Sequence, residues 1–209
     1  MHRSHKIALD PNHQQATYFA KASGVARFAY NWGLAEWKRQ YEAGEKPTQA
    51  SLRRQLNAIK REQFPWMLEV TKNAPQMALI PLGDAFGLFF RGGAKYPALK
   101  KKGIYDRFTL TNDQFSVSDK RIRIPNLGWV RMREVLRFSG KIISATISRK
   151  ADKWFVSITV DTEEMPPMYE NQAMVGVDLG VHRLATLSDG TFVTGAKSHG
   201  ILLNRLRRL

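Results

Sequence analysis

Cysteine is absent from all 209 residues, which excludes disulfides and any thiolate zinc site within them. Acid is scarce: 18 Asp and Glu face 33 Lys and Arg, a formal charge of +15. A surplus of that size favours a polyanionic partner, and nucleic acid outranks a membrane surface. No apolar run approaches the roughly 20 residues of a membrane-spanning helix. Met1-His2-Arg3-Ser4-His5 lacks the apolar stretch of a signal peptide, so no membrane partner and a cytoplasmic location are expected. A Gly-rich phosphate loop is missing, and nothing suggests a serine or cysteine nucleophile. His2, His5, His13, His182 and His199 show no metal-ligand spacing. These gaps remove disulfide-stapled secreted domains, membrane spanners and nucleophilic hydrolases from consideration.

What is present is a helical stretch followed by strands. With 43% hydrophobic residues the chain can build one large core or two small ones. Lys6-Ile7-Ala8-Leu9 alternates as a first strand, and Asp10-Pro11 reads as an N-cap and first helical residue. The helix is expected to reach about Ala43, with Gly44 supplying a left-handed ending. Phe19, Ser23, Ala26, Tyr30, Gly33 and Trp37 recur at helical spacing on its buried face, small residues at Ala26 and Gly33 allowing close approach. Thr48 is the expected cap of a second helix ending before Pro65. Leu52, Leu56 and Ile59 form its apolar stripe, with Arg53, Arg54, Lys60 and Arg61 elsewhere on its surface. A third helical stretch spans Ala74 to Phe90, carrying Met77, Ile80, Ala85, Leu88 and Phe89. Pro81 should kink or divide it, because it donates no backbone hydrogen bond.

From Lys95 the period changes to two. Phe108–Leu110, Gln114–Val117, Arg121–Ile124, Trp129–Met132, Ile142–Arg149 and Trp154–Val160 read as antiparallel strands separated by turn residues. The fold class expected is α+β: an antiparallel β-barrel from 1–9 and 95–162, closed by the first strand, with a helical insertion over 10–94. Residues 95–155 hold 15 Lys and Arg against five Asp and Glu, so most of the charge lies there. Arg121, Arg123, Arg131 and Arg133 alternate with apolar residues and share a wet face suited to tracking phosphates. Lys100-Lys101-Lys102 at the helical-to-strand junction is a further phosphate candidate. Trp129 and Trp154 could stack bases, although burial is the commoner fate of such residues. Residues 163–173, with Pro166-Pro167, read as a linker.

The most informative stretch is Met174-Val175-Gly176-Val177-Asp178-Leu179-Gly180-Val181, followed by Leu184–Leu187 and Ser188-Asp189-Gly190. It reads as a buried strand ending on a carboxylate, a second strand, and an Asp-Gly turn into a third. A strand-end carboxylate beside small residues can hold a divalent metal and still admit a phosphodiester. Asp189 reads as a turn residue rather than a ligand.

Three segments in this order resemble the TnpB (OrfB) family of insertion-sequence proteins, relatives of the CRISPR type V effectors. They are Arg27-Phe28-Ala29-Tyr30-Asn31-Trp32, then Ala85–Phe90 with Pro97–Lys102, then Val175–Gly180. The resemblance implies a wedge-type β-barrel interrupted by a helical recognition insertion, then a RuvC-like nuclease of RNase H type starting at 174–209. It implies a structured guide RNA, target DNA as partner, and Mg²⁺ held by three acidic residues. Asp178 matches the first of these. The second and third, and a cysteine-rich zinc element, are expected beyond Leu209, so the chain alone is expected to bind without cutting. Arg27, Asn31, Arg53, Arg54, Lys100, Lys101, Lys102, Arg121, Arg123, Arg131 and Arg133 are the expected nucleic-acid contacts. Leu202, Leu206 and Leu209 form a helical stripe without a partner in the remaining sequence. Two alternatives stand: a non-enzymatic RNA/DNA-binding repressor, and a helix-turn-helix transposase subunit with a short turn near Gly44.

Overall fold

A computed structural model of the chain describes residues 1–162, 175–180, 183–195 and 206–207. They form two compact units, Met1–Met165 and Pro166–Leu209. The expected linker and the stripe Leu202/Leu206/Leu209, apart from Leu206, lie outside the described residues, as do His182 and His199. No helix among the described residues is long and apolar enough to cross a membrane.

The first unit starts with strand β1 (His2–Asp10) and helix α1 (His13–Glu42). Asn12 is the N-cap in place of the expected Asp10. Its side chain accepts from the Gln15 amide at 2.9 Å, and Gln15 Oε1 accepts from the Asn12 amide at 3.1 Å. This reciprocal box satisfies two otherwise orphaned donors, while Asp10 stays at the end of β1, opposite Arg131. At the other end Gly44 takes φ +82°, as expected. Thr48 and Ser51 make the same kind of box for α2 (Gln49–Gln63). The third helical stretch is divided into α3 (Asn73–Ala78) and α4 (Ile80–Phe90), with Pro81 in the first turn of α4. That break shifts the helical phase. Ala74, Pro75, Leu79, Leu82 and Phe86 are buried, while Ile80 and Leu88 of the expected stripe are exposed.

Seven strands follow one antiparallel order. β2 (Arg107–Thr111), β3 (Ser116–Ser118), β4 (Arg121–Ile124), β5 (Gly128–Met132), β6 (Lys141–Lys150) and β7 (Lys153–Asp161) join β1 in the order β2-β6-β7-β1-β5-β4-β3. β1 therefore bridges the two halves of the sheet, pairing with β7 along seven residues and with β5 at Leu9 and Asp10. The outer strands β2 and β3 are joined through Asn112–Gln114 and Phe115. Five residue steps reach roughly 18 Å at most, whereas the edges of a flat seven-stranded sheet lie roughly 29 Å apart. The sheet must curl to bring its edges so near. No pairing between β2 and β3 closes it among the described residues.

Helices and sheet share one core. Phe19 of α1 packs between Phe108 and Trp154, at ring separations of 6.1 and 5.2 Å. Trp37 stacks on Phe86 at 4.3 Å, tying α1 to α4. Tyr18 spends its polar end inside: the hydroxyl donates to the Pro125 carbonyl (2.8 Å) and accepts from the Thr71 amide (2.9 Å).

The second unit shows a three-stranded antiparallel sheet of β8 (Val177–Asp178), β9 (Ala185–Leu187) and β10 (Phe192–Val193), in the order β10-β9-β8. The strand expected to be buried is exposed at Val177 and Leu179. A sheet buries a face only against a second layer, and the described residues of this unit supply none.

Candidate nucleic-acid interface

The segment from Lys100 to Arg107 is clasped onto α1 by the Arg27–Asn31 motif. Asn31 donates from Nδ2 to the Lys100 carbonyl (3.0 Å) and accepts the Lys100 amide on Oδ1 (2.9 Å). One side chain thereby replaces a stretch of backbone pairing. Tyr30 lies beneath the Lys100 ammonium, 3.6 Å from Nζ to the ring centroid. Arg27 Nη1 donates to Asp106 Oδ1 at 2.7 Å, with both side chains largely buried. The Gly103 amide shares that carboxylate oxygen at 3.2 Å. Arg27 and Asn31 are thus engaged within the protein, as fasteners of the loop that carries the lysines.

The three lysines differ in setting. Lys101 and Lys102 are exposed, whereas Lys100 is half-buried. Burial, and then repulsion from Arg107, lower the Lys100 pKa to about 8. The cation–π contact with Tyr30 favours the charged form and so opposes that shift. Burial also raises the Tyr30 phenol, with Tyr105 a lesser cause.

A second basic surface lies on β4 and β5. Ile122, Ile124, Val130 and Met132 are buried, and Arg121, Arg123 and Arg131 alternate with them on the exposed side. The register sets Arg121 opposite Arg131, and Arg123 opposite the exposed Trp129. Like charges directly across a ladder are mildly destabilising, so the arrangement is not one that stability selects. Arg133 follows β5, exposed and 3.9 Å from Asp10. Trp154 is buried against Phe19 and is removed as a stacking residue. Arg53 and Arg54 are exposed on α2.

Asp178 is exposed at the end of β8, opposite Thr186. Asp189 caps its turn: Oδ1 accepts from the Thr191 amide (2.9 Å) and hydroxyl (2.7 Å), bonds that lower its pKa. Among the described residues no cluster of three His, Asp or Glu could hold a metal. His5 is buried in β1, where Nδ1 accepts from the Arg137 amide at 3.3 Å.

Sequence reasoning missed Tyr105, Asp106 and Arg107. Their only signal was alternation in Arg107-Phe108-Thr109-Leu110, which puts Arg107 and Thr109 on one side of β2.

Residues 1–46 match the OrfB/IS605 family described as "Helix-turn-helix domain". Over those residues the structure has one strand and one 30-residue helix. Three bacterial relatives align along most of the chain. "Putative RNA-guided DNA endonuclease InsQ" of Escherichia coli (strain K12) is 32% identical over 98% of this chain and 52% of its own length. A protein of Streptomyces pristinaespiralis named as an RNA-guided DNA endonuclease of the same standing is 29% identical over 93% and 50%. MT2953 of Mycobacterium tuberculosis (strain CDC 1551 / Oshkosh), also named as an RNA-guided DNA endonuclease, is 25% identical over 88% and 48%. The chain spans about half the length of the curated relatives it matches. The chain is therefore similar along most of its length to proteins named as RNA-guided DNA endonucleases, and its first 46 residues match the OrfB/IS605 model, in keeping with the TnpB (OrfB) resemblance.

Proposed function

We propose that this chain is the nucleic-acid-gripping part of an RNA-guided DNA endonuclease, holding a structured guide RNA and target DNA on its basic surfaces. The reading rests foremost on the arginine face: three exposed guanidiniums held at sheet spacing over a buried aliphatic row. Each can neutralise one phosphate and release its counterions. Arg133, Lys101, Lys102, Arg53 and Arg54 extend the grip. Arg27 and Asn31 act through the loop they fasten. The curled sheet corresponds to the family's wedge-type barrel over 1–9 and 95–162, and α1–α4 to its recognition insertion over 10–94. The near approach of β2 and β3 supports that reading. Residues 163–173 act as the linker to the nuclease region at 174–209.

In that reading Asp178 is the first acidic metal ligand of the RuvC-like nuclease. Its exposure at a strand end beside Gly176 and Gly180 suits the role. Mg²⁺ keeps several waters and is held through one or two carboxylates plus phosphate oxygens. The described residues supply one such carboxylate and do not by themselves fit the ion. In a longer protein with the remaining acids, Asp178→Ala removes cleavage and leaves binding intact. Loss of binding in that variant would count against the assignment.

The test of the grip is fluorescence anisotropy with structured RNA and with duplex DNA over a range of salt. Replacing Arg121, Arg123 and Arg131 together by Gln should flatten the log K against log salt slope by about two to three. An unchanged slope would sink the proposal. A helix-turn-helix reading is less well supported. The α1–α2 connection runs from Ala43 to Thr48, longer than the three- or four-residue turn of that motif.

A further inference from the structure

Between α1, α3 and the edge strand β2 lies a cavity of about 130 Å³. Its polar wall is formed by Arg27, Lys100, Tyr105, Arg107, Thr109 and Thr146, and Met77 and Pro81 contribute to its apolar floor. Lys100 and Arg107 are close enough to repel. Neither has a carboxylate within ion-pair reach among the described residues, although acid is available nearby. Asp106, the adjacent carboxylate, is committed to Arg27 and the Gly103 amide. The Thr109 and Thr146 hydroxyls bond each other at 2.9 Å across the β2–β6 register. One of those two hydroxyls is therefore left with a proton to donate elsewhere.

Two unneutralised cations facing one cavity oppose folding unless something negative relieves them. The backbone of Lys100 is fixed from both sides by Asn31, so the ammonium cannot simply swing away with its loop. We propose that this cavity is a seat for a single tetrahedral oxyanion, held by the Lys100 ammonium, the Arg107 guanidinium and a threonine hydroxyl. Charge-assisted bonds from two cations and a hydroxyl match three oxygens of such a group. The occupant is a phosphate, either one group of a nucleic-acid backbone or free phosphate. Assigning it to the backbone rests on the nucleic-acid reading above; the seat itself does not.

The seat is also pH-sensitive. The groups facing Lys100 are Tyr30 beneath it, Arg107, Tyr105, and the Arg27–Asp106 pair, whose charges offset. An amine titrating near 8 is mostly charged at about pH 7 and mostly neutral at about pH 9. Oxyanion affinity should therefore fall as pH rises through that range.

The experiment follows the side-chain resonances of Lys100 and Arg107 by NMR during titration with inorganic sulfate. Sulfate has the tetrahedral shape of phosphate and keeps one charge state from about pH 7 to 9. Expected are saturable shifts at both residues, an affinity about tenfold lower at the higher pH, and loss of that pH dependence in Lys100→Met. Arg107→Gln, at an exposed position, should weaken sulfate about fivefold without lowering the melting temperature of the sulfate-free protein. Absence of saturable shifts, or an affinity in both variants equal to that of the unmodified protein, overturns the seat. Adding a short RNA or DNA oligonucleotide then separates the sources. Displacement of sulfate, with weaker oligonucleotide binding in Lys100→Met, supports a backbone phosphate. Simultaneous binding of both supports the seat for free phosphate and overturns the backbone source. Failure of the arginine-face variants to change oligonucleotide binding would instead strike the general reading.

Discussion

Arg27 shows how a basic residue can be taken up by the fold instead of being offered to a partner. Its guanidinium and Asp106 are 18% and 13% exposed, so removing one leaves the other charged in a poorly solvated place. Arg27→Met should cost about 2–3 kcal/mol in urea unfolding, below the range for fully buried pairs because some water remains. A loss under about 0.5 kcal/mol would show the pair to be ornamental. Gly33 is the second sensitive point. A Cβ there would stand 2.5 Å from Leu79 Cδ2 and 3.0 Å from Leu82 Cδ2. Gly33→Ala should therefore cost about 1–3 kcal/mol by overpacking. Lys100 makes a prediction with a definite sign. Its folded pKa of about 8 lies below the ordinary 10.5. Between those values the unfolded chain binds the extra proton, so the stability contribution rises with pH there. Below about pH 8 both states are charged and the contribution is flat. Lys100→Met should remove that rise, read as a changing gap between the two unfolding curves from about pH 7.5 to 10.

Among the elements, the helices show which local signals survive tertiary context. Thr48 and Gly44 were legible because a cap and a left-handed ending depend on local chemistry alone. Asn12 escaped notice because Asp10-Pro11 offered an equally good local cap, and β1 claimed Asp10 instead. Asn12→Ala should cost about 1 kcal/mol, the usual worth of such a cap, in thermal unfolding. The third helical stretch was legible as a Pro81-divided element, but not its buried face. Once the helix breaks at Leu79, residues on either side no longer share one periodicity. In the strands, alternation foretold the buried row of Ile122, Ile124, Val130 and Met132 and the exposed arginines between them. That pattern is local too. The pairing of Arg121 with Arg131 is not, since it depends on the turn through Gly128.

For the whole molecule, strand order and charge placement matter together. β1 enters the sheet between β5 and β7, so the first residues join segments over a hundred positions away. The helices are thereby held against the sheet by both of their chain ends and by Phe19. Binding of RNA to the intact chain should weaken steeply with salt, as counterion release requires. A flat salt dependence in anisotropy would mean that the +15 charge is a solubility device. The sequence by itself determined the strongly basic charge, the helix ends at Gly44 and Thr48, the strand faces, the TnpB (OrfB) resemblance and the candidacy of Asp178. Each of these is fixed by composition or by residues within one or two turns of each other. Tertiary structure alone decided that Arg27 and Asn31 turn inward, that Trp154 is buried, and that Lys100 meets Arg107 beside two threonines. The first of those outcomes depends on contacts 69 and 79 residues apart along the chain, and the burial of Trp154 on its meeting with Phe19, where the spacing of residue types carries no information about which groups meet.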